Sequence, residues 1–401
     1  MREPVDISEL KNRAIAAIEA ASADLVEVSH EIHDHPEQNF EEHFAADLLA
    51  RTAGRYGLDP ELGAYGAPTA VAAERGSGPV VCVMSEYDAL PEIGHGCGHN
   101  VIAAAGLGAA IGLAAVASDA GGRLRWLGTP AEEGGGGKIV MARHGALDDV
   151  ELAMMVHSAD ADLTQIDAIA LQQLVVQYTG VEAHAAAAPH MGRNALDAAV
   201  LGYMGVAALR QHIRSTERVH GIFTKSGDKP NIVPREAETE WYVRSDTISS
   251  LNELKPRVLS ALEAGGAACG CSVRHTWIGD AYADLVSNDT ASSLYVANAA
   301  RVGRQVGNPR AGGPRVVGST DMGNVSHLVP SIHPMIAAAP AGTVIHTADF
   351  AAHARTRLAD AAVVDGAKAM ALTVIDFWTD EGIRRAVREE FVQTGPDRSV
   401  L

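Results

Sequence analysis

Three short runs, Pro79–Met84, Arg123–Leu127 and Leu152–Val156, constrain this chain more than any other feature. Each reads as a buried strand, and two helical segments, Val101–Ser118 and Gly137–Gly145, separate them. Strand, helix, strand, helix, strand predicts an α/β domain built on a mostly parallel sheet. Val101–Ala117 is apolar and holds several glycines, which suits a buried helix better than a membrane span. Upstream, residues 8 to 56 carry helical periodicity (Leu10, Ala14, Ile18, then Leu25, Val28, Ile32). The pattern breaks near His35-Pro36 and resumes from Glu41.

The texture changes after about Ala170. Leu171–Val181, a stretch near Val219–Thr224, part of Asn231–Arg244 and Ser272–Trp277 read as strands, while Asn194–Arg214 and Ser249–Ala264 read as helices. That order, β-α-β-β-α-β, is the split pattern of a ferredoxin-like sandwich. Ser287–Val306 and the stretch from Ile332 to a long helix Ala348–Trp378 return to helix and buried-strand texture. The simplest organisation is one α/β domain, residues 1–170 and 285–401, interrupted by a small domain at 171–284.

Charge and cysteine usage narrow the function classes. With 32 basic against 50 acidic residues the net charge is −18, so a nucleic-acid backbone would be repelled. The same field weakly favours cationic substrates. Four cysteines in 401 residues make no disulfide scaffold. The start MREPVDISELKNR has no apolar segment behind a basic head, so no signal peptide is expected. These features place the protein in a reducing cytoplasm, away from membranes.

Chemistry-bearing residues gather at the carboxyl ends of the three predicted strands, where open parallel sheets keep their sites. The first cluster runs from Glu86 through Asp88 and His95 to Cys97, Gly98, His99 and Asn100. One glycine between Cys97 and His99 lets both turn toward a single ion; a Gly-rich turn with incidental histidines is the plainer reading. The second cluster, Gly128–Lys138, holds the adjacent carboxylates Glu132 and Glu133 ahead of four glycines. One carboxylate can bind metal while its neighbour serves as general base. Phosphate binding is disfavoured by the non-P-loop spacing and the two glutamates. The third is His157, after Met154-Met155-Val156. Cysteine, histidine and glutamate at neighbouring strand mouths suit a transition metal, zinc or manganese.

The segments EYDALPEIGHGCGHN, LGTPAEEGGGGK, MMVHS, NALDAAVL, KPNIVP, GSTDMGNVS and HTADF resemble the di-metal aminoacylase and carboxypeptidase-type peptidase and amidohydrolase family. The likeness runs in order from about residue 24 to 390. It is similar in particular to the branch holding the Xaa-Arg (β-alanyl-lysine) dipeptidases and p-aminobenzoyl-glutamate hydrolases. The resemblance implies a catalytic domain interrupted by a lid that also forms a homodimer, and two divalent ions per chain, zinc or manganese. It implies Cys97, His99, Glu133, His157 and His346 as metal ligands, with the Cys97 thiolate shared between the ions, and Glu132 as general base. Asp88 would orient the site from behind. His184, supplied across subunits, would stabilise the tetrahedral intermediate, and Asn231 and Arg244 would hold the substrate's carbonyl or carboxylate. His333 competes with His346 for the last ligand position, and the HTxxF setting favours His346. The plain run Ala185–Ala188 after His184 departs from the small polar run usual there.

The expected reaction is metal-assisted hydrolysis of a small N-acyl amino acid or dipeptide with a free carboxylate. The ions would polarise the carbonyl and lower the pKa of bound water toward ~7, and Glu132 would pass the water's proton to the leaving amine. A p-aminobenzoyl-glutamate-type hydrolase, an aromatic deaminase, a non-catalytic binding relative and a redox protein using Cys97 are the competing readings. His30, His33, His35 and His43 are read as structural, on a surface-type helix. His190, His212, His220 and His275 are read as solvated.

Overall fold

A computed structural model describes residues 6–309, 317–398 and 400–401. Met1–Val5, the opening of the segment read above for a signal peptide, and 310–316, within the expected catalytic domain, lie outside the described residues, as does 399. The chain separates into two compact units. One comprises the chain up to Asp167 and resumes at Leu285; the other is Ala168–Asp284.

The first unit opens with helices α1 (Ile7–Asp34) and α2 (His43–Arg55), followed by strands β1 (Glu61–Leu62), β2 (Val71–Gly76) and β3 (Val80–Glu86). Next come α3 (His99–Ala114), α4 (Ala117–Ala120), β4 (Arg123–Thr129), α5 (Gly137–Arg143), β5 (Val150–Met154) and β6 (His157–Ala159). After β7 (Asp167–Ala168) the chain enters the second unit with β8 (Ala170–Thr179), α6 (Ala195–Leu209), β9 (Arg218–Lys225), β10 (Glu236–Ser245), α7 (Ile248–Cys269) and β11 (Ser272–Tyr282). The first unit resumes with α8 (Asp289–Arg301), β12 (Val317–Gly318), α9 (Met322–Leu328), β13 (Ser331–Ile332) and β14 (Met335–Ala337). It ends with α10 (Ala348–His353), α11 (Arg357–Thr379) and α12 (Glu381–Thr394).

The large sheet runs β1-β2-β4-β3-β5-β13. Its centre is parallel, β3 pairing with both β4 and β5 and β5 with β13, while β1 and β2 add an antiparallel edge. Every residue of β3 is buried, as a strand covered on both faces must be. The antiparallel edge lies in a Gly/Pro-rich stretch whose short strands the apolar-run criterion does not detect.

Helix α3 is buried over almost its whole length, and its small residues let α1 and α11 come close. A Cβ at Gly108 would sit 2.8 Å from both Leu25 Cδ1 and Ala367 Cβ, so glycine is required where the three helices meet. Helix α1 is therefore no surface helix. Its stripe Leu10, Ala14, Ile18, Ala21, Leu25, Val28 and Ile32 is buried at helical spacing, and Lys11 is buried against Asp376 and Asn298. The histidines of this region have structural partners: His30 lies 2.8 Å from Asp360, and His33 and His35 each meet a main-chain carbonyl, of Ala351 and Glu31. The long helix expected at 348–378 is two helices, α10 and α11. The break leaves the Ala354 carbonyl free to accept from Asn100 Nδ2 at 2.9 Å. No helix among the described residues is long and apolar enough to cross a membrane.

In the second unit the sheet order is β11-β8-β10-β9, antiparallel throughout. Along β8, Ala170, Gln172, Leu174, Val176 and Tyr178 are buried in strict alternation, which gives the sheet one covered face. Helices α6 and α7 pack on each other and on this sheet. His190, His212, His220 and His275 are all exposed.

Candidate metal centre

The site is assembled on the carboxyl ends of β3 and β4, on β6 and at the start of α3. Between Cys97 and His99, Gly98 adopts φ +66°, and a Cβ there would meet Ser158 Oγ at 2.4 Å. Only glycine fits such a turn beside a neighbour this close. Ser158 Oγ donates to the carbonyls of Cys97 and Gly98, fixing the turn from β6.

Two histidines then present the same ring nitrogen. His99 Nδ1 donates to the Asp88 carbonyl at 2.8 Å, and His157 Nδ1 donates to the Ser158 carbonyl at 2.7 Å. With the Nδ1 proton engaged, Nε2 is left as the lone-pair donor in both. Cys97, His99 and His157 offer donor atoms within 4.8 Å of one another, and so do Cys97, Glu133 and His346. His346 reaches this place through a left-handed backbone, φ +63°, with its N–H bonded to the Gly96 carbonyl at 2.9 Å. Its Nε2 lies 3.8 Å from Glu133 Oε2.

The loop bearing the glutamate pair is clamped on both sides. Glu42 Oε1 accepts the Ala131 N–H at 2.9 Å, and Asp88 Oδ2 accepts the Glu133 N–H at 2.9 Å. Ala131 itself sits at φ +56°, a conformation that costs a non-glycine residue of order 1–2 kcal/mol. The two carboxylates hold Glu132 between them in that strained turn.

The electrostatics call for a cation. Glu86 Oε1, Glu133 Oε1 and His99 Nε2 are buried with no hydrogen-bond partner among the described residues, a costly arrangement for polar atoms in a dry interior. Burial, reinforced by Glu86 and Glu133, pushes the Glu132 carboxyl well above its ordinary range. Burial also raises the Cys97 thiol. It opposes a charge on His99, yet Glu86, Asp88 and Cys97 outweigh it and push that imidazole well up. A divalent ion would reverse the first two effects, ionising a coordinating thiol outright. Cys97, His99, Glu133, His157 and His346 therefore fit a two-ion site.

Of the residues expected from sequence, Cys97, His99, Glu132, Glu133, His157, His346 and Asp88 come together here. His333 is fully buried behind His157, ring centroids 5.4 Å apart, and neither ring nitrogen has a hydrogen-bond partner among the described residues. It belongs to none of the donor groups among the described residues. His184, Asn231 and Arg244 lie in the second unit. His184 is exposed, its Nδ1 accepting from the Ala187 N–H at 3.1 Å, and the Asn231 carbonyl accepts the Ala185 N–H at 3.0 Å. The Arg244 guanidinium stacks 5.6 Å over the Tyr242 ring.

Sequence reasoning assigned no role to four residues here: Glu42, Glu86, Lys138 and Asp321. Lys138 is buried, with Nζ 2.7 Å from both Glu86 Oε2 and Asp321 Oδ1. Burial opposes its charge, but Asp321 and Glu86 prevail and hold it protonated. A lysine placed directly after four glycines at a helix start was the available signal, because a buried ammonium requires anionic partners.

His95 gives a pH prediction. Its Nε2 donates to the Ile32 carbonyl at 3.0 Å while Nδ1 is buried with no partner among the described residues. Burial, assisted by His99 and His33, lowers its pKa to about 3. The unfolded chain thus binds the extra proton from pH 6.5 downward and the folded chain does not. Stability is expected to fall as pH drops from 6.5 toward 3, by up to about 1.4 kcal/mol per pH unit from this group. Denaturant titrations of metal-free wild type and His95→Asn between pH 7.5 and 5 check this; the variant should show the shallower slope.

Comparison with known proteins adds three findings. The profile of peptidase family M20/M25/M40 matches residues 82–376. The chain is 36% identical to the Xaa-Arg dipeptidase of Mus musculus over 96% of this chain and 93% of that one. It is 30% identical to one of the subunits of the p-aminobenzoyl-glutamate hydrolase of Escherichia coli, over 94% of each. A dinuclear metal-binding peptidase of Bacillus subtilis shares the fold with a TM-score of 0.67, at 19% identity, over 90% of this chain and 100% of that one.

Proposed function

Because this chain belongs to peptidase family M20/M25/M40, and is a metal-dependent hydrolase of peptide and amide bonds, we propose that it cleaves small dipeptides bearing a basic or β-alanyl residue and a free carboxylate. The observation that carries this reading is the cluster of Cys97, His99, Glu133, His157 and His346 donors beside the buried Glu132. The near full-length identity to an Xaa-Arg dipeptidase and the acidic surface favour a cationic substrate.

In this reading the five donors hold two divalent ions, zinc or manganese, with Cys97 common to both donor groups. Bound ions supply Lewis acidity for the scissile carbonyl and acidify water. Asp88 fixes His99 through Nδ1 and the Glu133 main chain through Oδ2, so that ligand and base keep one geometry. The Glu132 carboxylate accepts the proton of the attacking water and returns it to the leaving amine nitrogen.

The second unit, whose strand order and two packed helices suit a ferredoxin-like sandwich, is proposed as lid and dimerisation domain. His184 would stabilise the oxyanion across subunits, and Asn231 and Arg244 would hold the substrate's carbonyl or carboxylate. Exposed Val200, Leu201 and Met204 on α6, with Ile222 and Phe223 on the edge strand β9, supply apolar surface that supports pairing with a second copy. The four free cysteines support a reducing cytoplasmic location.

The similarity to the Escherichia coli p-aminobenzoyl-glutamate hydrolase chain supports a second reading, with aminobenzoyl-glutamate as substrate. Values of kcat/KM for Xaa-Arg and β-alanyl-lysine dipeptides, p-aminobenzoyl-glutamate and simple N-acetyl amino acids separate the two. At least a tenfold preference for the basic dipeptides is expected. A preference for p-aminobenzoyl-glutamate, or release of ammonia from an aromatic amine, would overturn the assignment.

A further inference from the structure

We propose that Glu86 is a further donor to the ion held by Cys97, His99 and His157, locked in place by the buried Lys138–Asp321 pair. The proposal rests on the two-ion reading above and adds a carboxylate to the ligand set that the family resemblance implies. Glu86 ends β3 and is fully buried. Its two oxygens have different surroundings. Oε2 accepts from Lys138 Nζ at 2.7 Å, and Lys138 is anchored in turn by Asp321, which takes both its Nζ and its main-chain N–H. Oε1 has no hydrogen-bond partner among the described residues.

That free oxygen lies 3.4 Å from His99 Nε2 and 3.7 Å from His157 Nε2. Both histidines engage Nδ1 with main-chain carbonyls, so their Nε2 atoms and Glu86 Oε1 converge on one small space. Electron-rich atoms at this separation favour a cation among them. The spacing also matches coordination: ligands about 2.1 Å from a tetrahedral ion stand about 3.4 Å apart. Cys97, His99 and His157 form one donor group, and Glu86, which also groups with Glu132 and Asp321, stands beside its two histidines. The lysine clamp explains why the carboxylate keeps this orientation. With Oε2 bound to an ammonium that is itself fixed at two points, Glu86 cannot turn its free oxygen away.

The test compares metal-free wild type, E86Q and D321N by calorimetric titration with Mn2+ and by absorption spectra of the Co2+ forms. Glutamine keeps an acceptor oxygen for Lys138 and removes the charge. For E86Q, one of two ions should bind about 10–100-fold more weakly, with shifted Co2+ bands, while D321N, which loosens the clamp and keeps the donor, should give a smaller shift in the same direction. Two ions with wild-type affinity and bands in E86Q would overturn the proposal while leaving the two-ion reading intact. Altered bands in D321N beside wild-type bands in E86Q would also overturn it, by showing that the clamp acts on the site without the Glu86 carboxylate. A wild type that binds no ion would sink both. Should E86Q not fold, a crystal structure of Co2+-loaded wild type decides: Glu86 Oε1 about 2.0–2.2 Å from an ion supports the assignment, and beyond about 3 Å contradicts it.

Discussion

Glu132→Gln is expected to lower kcat by about 10²–10⁴-fold, the usual weight of a positioned general base, while metal content stays at the wild-type level. The substitution removes the proposed proton acceptor and leaves the proposed ligands Glu133, His99 and Cys97 in place. The loop should hold its shape, because its anchors are main-chain bonds from Ala131 to Glu42 and from Glu133 to Asp88 and do not involve the Glu132 side chain. KM should change little, since glutamine preserves volume. Steady-state kinetics with elemental analysis of the same preparation checks both halves. Near-full turnover would remove Glu132 from the mechanism. Loss of metal together with turnover would make it a ligand instead.

Lys138→Met is expected to destabilise the fold by about 3–5 kcal/mol, the largest stability effect we anticipate from a single site. Methionine replaces the aliphatic stem well, so packing is not the cause. Glu86 and Asp321, both fully buried, would lose the ammonium that lies 2.7 Å from each. Two carboxylates would then share a dry space without compensation, the situation in which a broken buried pair costs most. Added divalent ion should recover part of the loss, because binding to the folded state alone is stabilising. Urea unfolding with and without chelator measures both terms. A midpoint unchanged from wild type in the presence of chelator would show that the triad carries no net weight.

How much of this was legible in the sequence follows from the range of the interactions involved. The parallel core was readable because β3, β4 and β5 are short runs bounded by turn residues, a local signal. The candidate donors were readable for a related reason: Glu132, Glu133 and His157 lie within four residues of a strand end, and Cys97 and His99 lie in the Gly-rich segment between β3 and α3. Helix α1 was misjudged because its buried stripe is covered by α3 and α11, and α11 begins at Arg357, far along the chain. The break between α10 and α11 escaped because apolar periodicity continues across Ala354–Thr356. The carbonyl that the break frees is taken up by Asn100, a partner 254 residues away. Glu86 headed the first strand-end cluster without a role of its own, and Lys138 and Asp321 look like ordinary loop charges until the fold brings them together across 183 positions. Glu42 belongs to the same class, an N-cap residue of α2 whose importance lies in the distant turn it holds.

The central claim is that strand-end donors build a two-ion hydrolytic site, and one measurement tests it most directly. Purified protein should carry close to two divalent ions per chain by elemental analysis and release free amino acid from a basic dipeptide. Chelation should abolish that release, and restoring zinc or manganese should recover it. Two ions with chelator-sensitive turnover is the predicted result. Turnover that persists at full rate after the ions have been stripped, or a purified chain that binds none when they are supplied, would contradict the account.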